Sequence, residues 1–444
     1  MRRPTRLVAI VSVATLILGI LAVSASAGAR ARCFGERATI VGTSGADVLI
    51  GTDRRDVIAA LGGNDRIRAG GRNDLICAGD GNDVVRGGDG IDLTFGGDGR
   101  DRILGNGGPF NQAVPGAGND FVNGGSGDGD EVIYLDAPSG VVGDLGAGIV
   151  TGHGRDEIVG VEWLIGSDHD DTLTGTDGND VLYGSDGNDV IDGLEGDNFM
   201  AGGAGDDQVS GGAGFDFLGN SFFPTYYLDP PPAGPFTVDL TLGTMTGEGT
   251  DTLVGIDGSD GSPGDDVMIG DAGDNEFTAL FEGADTVDAG AGDDVVDGGE
   301  GIDDLDGGLG TDLLGNLDAP EGMTINLSTQ TDSHDDVFTG FEDVWGTFFD
   351  DVITGNDGPN EILGFDGADQ LNGLGGNDVL IGGFFGFVDP EADTADGGLG
   401  TDACDAETEI ACEGDPPPDP AMRSKLRTLS ALAAIGAAYR AGWR

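Results

Sequence analysis

The sequence predicts an all-β fold, a parallel β-roll solenoid of nonapeptide repeats with the form Gly-Gly-x-Gly-x-Asp-x-U-x, in which U is aliphatic. Three observations support this prediction. Aspartate or asparagine recurs every nine residues through long stretches, an aliphatic side chain follows two positions after most of them, and 87 of the 444 residues are glycine. We expect four blocks of repeats, separated by three related β-rich spacers.

The nine-residue register is strict within each block. In the first block, the residue two positions after each aspartate is aliphatic in six of seven repeats, and Thr94 is the exception. A solvated acidic tail has no reason to keep this phase, so the register outweighs the disorder that glycine content and charge alone would suggest. The positions in register are Asp47, Asp56, Asp65, Asp74, Asp83, Asp92 and Asp101; Asp171, Asp180, Asp189, Asn198, Asp207 and Asp216; Asp266, Asn275, Asp285, Asp294, Asp303 and Asp312; and Asp351, Asn360, Asp369, Asp378, Asp393 and Asp402.

One nonapeptide is too short to fold alone. Its first, second and fourth positions are glycines, which accept positive φ angles and let neighbouring turns approach closely. Its last three residues suffice as a strand only if each turn of the chain stacks on the next and pairs with it about 4.8 Å away. We therefore expect two nonapeptides to form one flattened coil, with the aliphatic eighth residue pointing inward and at least ~3 coils needed for stability.

Three spacers separate the blocks and share a layout. Each opens with a Leu-Asp pair and proline, as in Leu135-Asp136-Ala137-Pro138, and continues into a β-rich stretch such as "FTVDL" (236–240). Each also has an aspartate fifteen residues before the first repeat aspartate of the next block: Asp156, Asp251 and Asp336. Longer rungs on the same stack and a small separate hairpin both agree with this pattern. The predicted boundaries are blocks at 28–130, 166–219, 261–315 and 346–413, and spacers at 131–165, 220–260 and 316–345.

Acidic residues dominate the charge of the chain. It has 81 Asp and Glu against 20 Lys and Arg, a formal net charge of −61, and no basic Lys or Arg between Asp156 and Met422. This charge balance argues against nucleic acid as a partner, because binding phosphate needs basic surface. Stacked repeats would place carboxylates about 5 Å apart, where two unit charges repel by roughly 1 kcal/mol in water and by several at lower dielectric. A calcium ion, which takes roughly six to eight oxygen ligands in flexible geometry, resolves this repulsion and suits the turn better than magnesium.

The repeats resemble the hemolysin-type (RTX) calcium-binding nonapeptide family, over most of residues 42–405. This resemblance implies several calcium ions, each held between the turns of repeats i and i+2 by the sixth-position aspartates and by carbonyls of the glycine region. The segments that carry the resemblance are "GTSGADVLI" (42–50), "AGDGNDVVR" (78–86), "GTDGNDVLY" (175–183), "GGAGDDQVS" (202–210) and "GGEGIDDLD" (298–306). The implied pairs are Asp65 with Asp83, Asp74 with Asp92, Asp83 with Asp101, Asp171 with Asp189, and Asp294 with Asp312.

Departures from the repeat pattern limit the predicted ligand set. Arg54-Arg55 stands where the fourth-position glycine and its neighbour belong before Asp56. Asparagines such as Asn198 keep an oxygen but lose the charge, and an extra residue near Ala279 is expected to interrupt the stack. The predicted calcium ligands are Asp47, Asp65, Asp74, Asp83, Asp92, Asp101, Asp171, Asp180, Asp189, Asp207, Asp216, Asp266, Asp285, Asp294, Asp303, Asp312, Asp351, Asp369 and Asp378.

The N-terminus predicts export. The chain predicts a cleaved signal peptide at residues 1–27, because a basic start is followed by an apolar run over residues 7–23 and by Ala25-Ser26-Ala27. Cleavage would leave no transmembrane span. The alternative is that the segment is retained as a membrane anchor. We expect a secreted protein, extracellular or associated with the cell surface. Disulfides suit that environment, whereas a zinc site lacks a nearby histidine. The predicted disulfides are Cys33–Cys77 and Cys404–Cys412.

The sequence predicts no enzyme. The histidines His153, His169 and His334 lie in spacers or at block edges, and neither a His-Glu-x-x-His zinc motif nor a Gly-x-Ser-x-Gly nucleophile motif occurs. We expect an exported, multi-site calcium-binding protein with a structural or adhesive role that folds on calcium, with cell-surface glycans or other surface proteins as candidate partners. The alternatives are a calcium-dependent enzyme or binding protein acting on extracellular polysaccharide, and a plain calcium buffer.

Two segments allow more than one interpretation. The aromatic stretches at 221–228 and 383–388 fit either an exposed binding surface or a cap that packs on the stack. The Pro-rich linker and basic tail at 414–444 fits either a short amphipathic helix or a disordered segment.

Overall fold

The computed structural model describes residues 31–108, 111–127, 129–220, 234–278, 282–317, 319–383, 392–406 and 408–412. These residues form short β-strands, and none of them belongs to a helix that could span a membrane. The predicted signal peptide (1–27), the aromatic stretch 221–228, most of the stretch 383–388 and the basic tail (414–444) lie outside the described residues.

Each coil of the chain takes about two nonapeptides and contributes one strand to each of two faces. On what we call the first face, Val84–Asp89 pairs in parallel with Arg66–Gly71 before it and Arg102–Gly107 after it. On the second face, Leu75–Cys77 pairs in parallel with Leu93–Phe95. Strands of successive coils thus stack in register, and the predicted parallel β-roll is confirmed.

The described residues divide into two compact units, and the first comprises those up to residue 220 together with 249–255. An antiparallel hairpin of Arg32–Cys33 and Glu36–Arg37 precedes its coils. The first-face strands are Val48–Ile50, Arg66–Gly71, Val84–Asp89, Arg102–Gly107, Phe121–Asn123, Val142–Asp144, Ile149–Thr151, Arg155–Val159, Thr172–Thr174, Val190–Asp192, Gln208–Ser210 and Thr250–Val254. The second-face strands are Ile40–Val41, Val57–Ala59, Leu75–Cys77, Leu93–Phe95, Gln112–Val114, Glu131–Ile133, Trp163–Ile165, Val181–Asp186, Phe199–Ala204 and Phe217–Leu218.

The second unit comprises residues 234–248 and the described residues from 256 onward. Its first-face strands are Thr237–Asp239, Thr244–Thr246, Val267–Ile269, Thr286–Asp288, Asp304–Asp306, Thr324–Asn326, Val337–Thr339, Val352–Thr354, Gln370–Asn372, Thr394–Asp396 and Thr408–Ile410. Its second-face strands are Gly258–Asp260, Glu276–Thr278, Val295–Asp297, Leu313–Gly315, Asp343–Trp345, Glu361–Leu363, Val379–Ile381 and Ala403–Asp405. Two short pairs lie in the turns, Glu282–Gly283 with Glu300–Gly301 and Gly375–Gly376 with Leu399–Gly400.

The core is a thin stack of the aliphatic eighth-position side chains, as predicted. In the first block these side chains are all buried, Ile58, Ile76 and Val85 completely. Side chains from the two faces meet there, so each coil contributes only two such residues and depends on its neighbours for burial. In the second unit the same stack includes larger side chains such as Phe277 and Phe338.

The first spacer adds strands to the first face of the stack. Val142–Asp144, Ile149–Thr151 and Arg155–Val159 form an antiparallel meander. Its outer strands pair in parallel with Thr172–Thr174 on one side and Phe121–Asn123 on the other. The spacer is therefore a hairpin built into the stack and not a separate one, a detail that the sequence left open.

The extra residue near Ala279 does not interrupt the stack, so this expectation was wrong. Val267–Ile269 pairs with Thr286–Asp288, and Glu276–Thr278 pairs with Val295–Asp297, both in parallel and with full registers. Partners are nineteen residues apart here, against eighteen between Thr172–Thr174 and Val190–Asp192, so the strands keep their pairing despite the added residue.

The four cysteines form the two predicted disulfides, Cys33–Cys77 and Cys404–Cys412. The first ties the N-terminal hairpin to the second-face strand Leu75–Cys77, and the second closes a short loop after Ala403–Asp405.

Candidate metal sites

Sixth-position aspartates form a hydrogen-bonded ladder along the turns. The backbone N–H of Asp65 donates to Oδ1 of Asp83 at 2.7 Å, and the N–H of Asp83 donates to Oδ1 of Asp101 at 2.8 Å. Each side chain thus reaches back to the preceding coil on the same edge. All five predicted pairs are brought together in this way, the other three being Asp74 with Asp92, Asp171 with Asp189 and Asp294 with Asp312.

In many rungs of the ladder within the described residues, the second carboxylate oxygen, Oδ2, is buried and has no hydrogen-bond donor. Asp92 is typical, because its side chain is 1% exposed, its Oδ1 accepts one N–H and its Oδ2 accepts none. A buried carboxylate oxygen without a partner is costly unless a cation or proton satisfies it. We call these residues the open aspartates: Asp65, Asp74, Asp83, Asp92, Asp101, Asp120, Asp189, Asp207, Asp285, Asp294, Asp303 and Asp378.

Glycines make room for these oxygens. At Gly87, in the first position of its repeat, an added Cβ would lie 2.2 Å from Oδ2 of Asp92. At Gly99, in the fourth position, φ is +140° and a Cβ would lie 1.8 Å from the carbonyl oxygen of Gly81 in the preceding coil. The turn is therefore lined by main-chain and carboxylate oxygens at distances that no other residue would allow.

Burial and like charge raise the pKa values of the open aspartates. Burial raises the pKa of Asp92 to about 7, the N–H of Asp74 opposes this, and the carboxylates of Asp74 and Asp89 add to the rise. Burial likewise raises the pKa of Asp189 to about 7, with further increases from neighbouring carboxylates. Near neutral pH such groups bind either a proton or a cation.

The first aspartates of each block differ from the open aspartates, because a residue four positions earlier donates to them. The N–H and hydroxyl of Thr43 both donate to Oδ2 of Asp47, at 2.6 and 2.8 Å. Thr176 makes the same two bonds to Asp180. We call this set, in which Ser or Thr donates to the carboxylate, the capped aspartates: Asp47, Asp56, Asp171, Asp180, Asp266 and Asp351. All but Asp56 are among the predicted ligands.

A family model for the RTX calcium-binding nonapeptide repeat matches residues 41–76, 78–109, 165–200, 186–218, 281–314 and 345–380. The chain therefore contains RTX calcium-binding nonapeptide repeats. Each matched segment falls on a repeat block and includes open aspartates or their ladder neighbours. No curated protein sequence matched the chain.

Calcium fits the RTX turns on structural grounds. The open Oδ2 atoms are hard oxygen donors without partners, and the glycine turns beside them leave no room for a side chain. Calcium accepts carboxylate and carbonyl oxygens in variable geometry. RTX repeats bind calcium at multiple sites, and the ladder of buried aspartates agrees with that activity.

Asparagine at the sixth position satisfies its surroundings without a metal. The Nδ2 of Asn198 donates to Oδ1 of Asp216 at 2.8 Å and to the carbonyl of Gly196 at 3.3 Å. The Nδ2 of Asn111, outside the predicted register, donates to Asp130 and to the carbonyl of Gly124 in the same manner, while its own Oδ1 is buried without a donor. At both positions an amide N–H group with its own acceptors thus replaces one of the two carboxylate oxygens that an aspartate would have.

The ladder includes residues that the sequence-based ligand set omitted. Three spacer aspartates extend the ladder, because each accepts a backbone N–H from an aspartate of the preceding coil. Oδ1 of Asp156 accepts from Asp120 at 2.8 Å. Asp251 accepts from Asp207 and Asp336 accepts from Asp303 in the same way. Their constant offset from the following block was a visible signal. Asp120 itself was hidden because one extra residue after Asp101 shifts the period.

A second ladder, at the fifth position, was not foreseen. The N–H of Asn82 donates to Oδ1 of Asn64 at 3.0 Å, and the N–H of Arg100 donates to Oδ1 of Asn82 at 2.8 Å. These bonds run in the opposite direction along the stack from those of the sixth position. The fifth-position side chains are exposed and accept N–H groups, so they stabilise the turns without calcium.

The histidines add no further site. Nδ1 of His153 lies 3.7 Å from Oδ1 of Asp136 in the first spacer. Within the described residues, no group of three or more His, Cys, Asp or Glu side chains surrounds a single point in the manner of a metal site.

The raised pKa values predict a pH response. In chelator, we expect the calcium-free fold to gain β-signal as the pH falls from 8 to 5, because a carboxyl with a pKa raised from 3.8 to about 7, such as Asp92, binds its proton more readily when folded. The stabilisation from protonation is lost as the pH rises through about 7. Far-UV circular dichroism in EDTA across this range measures the effect, and a spectrum that does not change with pH would contradict it.

Proposed function

We propose that this RTX protein is an exported structural or adhesive protein that folds when calcium binds its open aspartates. One observation carries the proposal: the described coils bury rows of carboxylates whose second oxygen has no donor. Such coils are poorly stable with charged, metal-free aspartates and become stable when a cation satisfies them. The two β-faces of the stack would then form only when calcium is bound.

An exposed strip of arginines on the first face supports an adhesive role. Arg66, Arg68, Arg86 and Arg102 lie on three adjacent strands, with their side chains on the solvent side of the sheet. In the described residues, none of these four arginines forms a salt bridge, and Arg102 lies over the ring of Phe121 at 4.4 Å. We call this set the arginine strip. Its flat, regular layout suits an extended anionic polymer, such as an acidic surface polysaccharide.

The second unit has acidic residues at the corresponding outward positions. Thr286–Asp288 and Asp304–Asp306 pair in parallel, and they expose Asp288, Asp304 and Asp306. The arginine strip is therefore a local feature of the first block and not a property of the repeat, which supports a specific role in binding.

Binding to dextran sulfate tests the adhesive role. The calcium-loaded protein is expected to be retained on dextran sulfate beads, but not on neutral dextran, at about 0.15 M salt, where exposed charges are screened only beyond ~8 Å. Replacing all four arginines of the strip by serine is expected to abolish retention while leaving the calcium-induced circular dichroism unchanged, because these side chains are exposed.

A matched variant serves as the control. Replacing Asp288, Asp304 and Asp306 by serine changes equivalent positions of the second unit and is expected to leave retention intact. A plain calcium buffer would show no retention on either resin. Equal retention of the arginine-strip variant and the native protein would overturn the adhesive role.

A further inference from the structure

The first aspartate of each later block receives three donors. For Asp171, the N–H of Ser167 donates to Oδ2 at 2.5 Å, the hydroxyl of Ser167 donates to Oδ1 at 2.9 Å, and the N–H of Val141 donates to Oδ1 at 2.5 Å. Val141 belongs to the preceding spacer, so this carboxylate joins the spacer to the block.

The same three donors recur at the next two junctions. Asp266 accepts from the N–H and hydroxyl of Ser262 and from the N–H of Phe236. Asp351 accepts from the N–H and hydroxyl of Thr347 and from the N–H of Met323. All three aspartates are buried, yet each carboxylate has donors on both oxygens. Their surroundings therefore differ from those of the open aspartates.

The turn at these junctions also differs in backbone conformation. In the fourth position of later repeats, Gly187 and Gly205 have φ angles of +141° and +151°. The fourth position of the Asp171 repeat is His169, and that of the Asp351 repeat is Phe349, neither with positive φ. At these two junctions a residue with a side chain and without positive φ therefore stands where the later repeats of Gly187 and Gly205 have a glycine with positive φ.

Comparison of second-position residues shows that the backbone φ angle, and not only the residue type, determines whether a side chain donates to the aspartate. Ser185 is in the second position of the Asp189 repeat, but its φ is +91° and its hydroxyl lies 3.5 Å from Oδ1 of Asp168. Oδ2 of Asp189 accordingly has no donor. Capping is therefore confined to the start of a block.

Neutral side chains at the neighbouring repeats agree with this distinction. In the second repeat of the third and fourth blocks, the sixth position is Asn275 and Asn360, and each accepts an N–H from the residue four positions earlier. The equivalent residue of the second block is Asp180, capped by Thr176. A capped position thus accepts a side chain without charge.

We propose that Asp171, Asp266 and Asp351, together with the capped Asp180, are metal-independent anchors, in which Ser or Thr and spacer N–H groups take the place of calcium. This inference rests on the proposed binding of calcium by the open aspartates. If the inference holds, the calcium ions of each block lie only at repeats that follow the capped ones. The junction between spacer and block is then formed by hydrogen bonds without a metal ion.

Paired substitutions in one block test this assignment. Asp189→Asn and Asp171→Asn alter sixth-position aspartates of successive coils on the same edge. In the folded full chain, Asp189→Asn is expected to remove about one calcium ion, since each ion depends on few carboxylates. Asp171→Asn is expected to leave the number unchanged and to speed hydrogen exchange at the Val141 amide. Bound calcium is counted by atomic emission after gel filtration.

Every outcome decides the matter. Loss of calcium in Asp171→Asn, with or without loss in Asp189→Asn, overturns the anchor assignment. An unchanged count in both variants overturns the proposed ligand role of the open aspartates. If Asp171→Asn does not fold, Asp180→Asn takes its place, because Asn275 and Asn360 show that the same position tolerates the amide; loss of calcium in that variant likewise overturns the inference.

Discussion

Removing calcium from the folded protein with EDTA is expected to abolish most of its β-structure near pH 7.5. Carboxylates of successive coils are about 4.8 Å apart in the stacking direction, where repulsion in a partly buried setting exceeds the roughly 1 kcal/mol found in water. The aliphatic core of each coil is thin, and the open aspartates gain no salt bridge in the described residues. Because the sites do not exist in the unfolded chain, the binding free energy of calcium contributes directly to folding.

Far-UV circular dichroism during a calcium titration measures this loss and its reversal. Readdition of calcium to millimolar concentration is expected to restore the spectrum, whereas the same concentration of magnesium is expected to restore much less, because magnesium needs near-octahedral geometry and gives up its water reluctantly. The disulfides Cys33–Cys77 and Cys404–Cys412 remain in both states and confine the unfolded ends. Recovery of equal size with magnesium would contradict the assignment of calcium.

Replacing Gly205 by alanine is expected to destabilise the calcium-loaded protein by more than about 3 kcal/mol, near the upper end for single substitutions. Gly205 has a φ of +151°, and a Cβ there would lie 1.5 Å from the carbonyl oxygen of Gly187 in the preceding coil. No movement of a flexible side chain can relieve that contact. Since each coil rests on its neighbours, separating two of them interrupts the stack.

Gly178→Ala is the matched control for this substitution. Gly178 also occupies a fourth position in the second block, but its φ is not positive and the nearest atom to an added Cβ is Oγ1 of Thr176 at 3.5 Å. Alanine there is expected to change the stability by no more than ~1 kcal/mol. Urea unfolding in saturating calcium compares the two variants, and similar midpoints would contradict the description of the turns.

The coil itself was predictable from sequence because one short period fixes several physical requirements at once. A repeat of nine with an aliphatic eighth residue determines which side chains enter the core, and Ile58, Ile67 and Ile76 are buried accordingly. The sixth-position register determines which carboxylates stack, and the hydrogen bond between Asp83 and Asp101 follows from it. Both depend on contacts between neighbouring repeats, which the period specifies.

The features that the sequence did not predict depend on the path and φ angles of the backbone, which the nine-residue period does not specify. Whether the spacer around Ile149–Thr151 returns as an antiparallel strand is decided by pairing with strands on both sides. Whether an aspartate is open or capped is decided by the φ angle at the second position, which is why Ser185 and Ser167 differ although the residue is the same. The extra residue near Ala279 was misjudged because turns can lengthen while strands stay in register.

The central claim is that rows of buried aspartates are held together by bound calcium, and the most direct measurement is the amount of calcium carried by the folded chain. Atomic emission on protein freed of unbound ions, with circular dichroism on the same sample, gives both quantities. Several calcium ions per folded chain, lost in parallel with the β-signal as EDTA is added, is the predicted result. A chain that keeps its full β-signal while carrying no calcium would contradict the account.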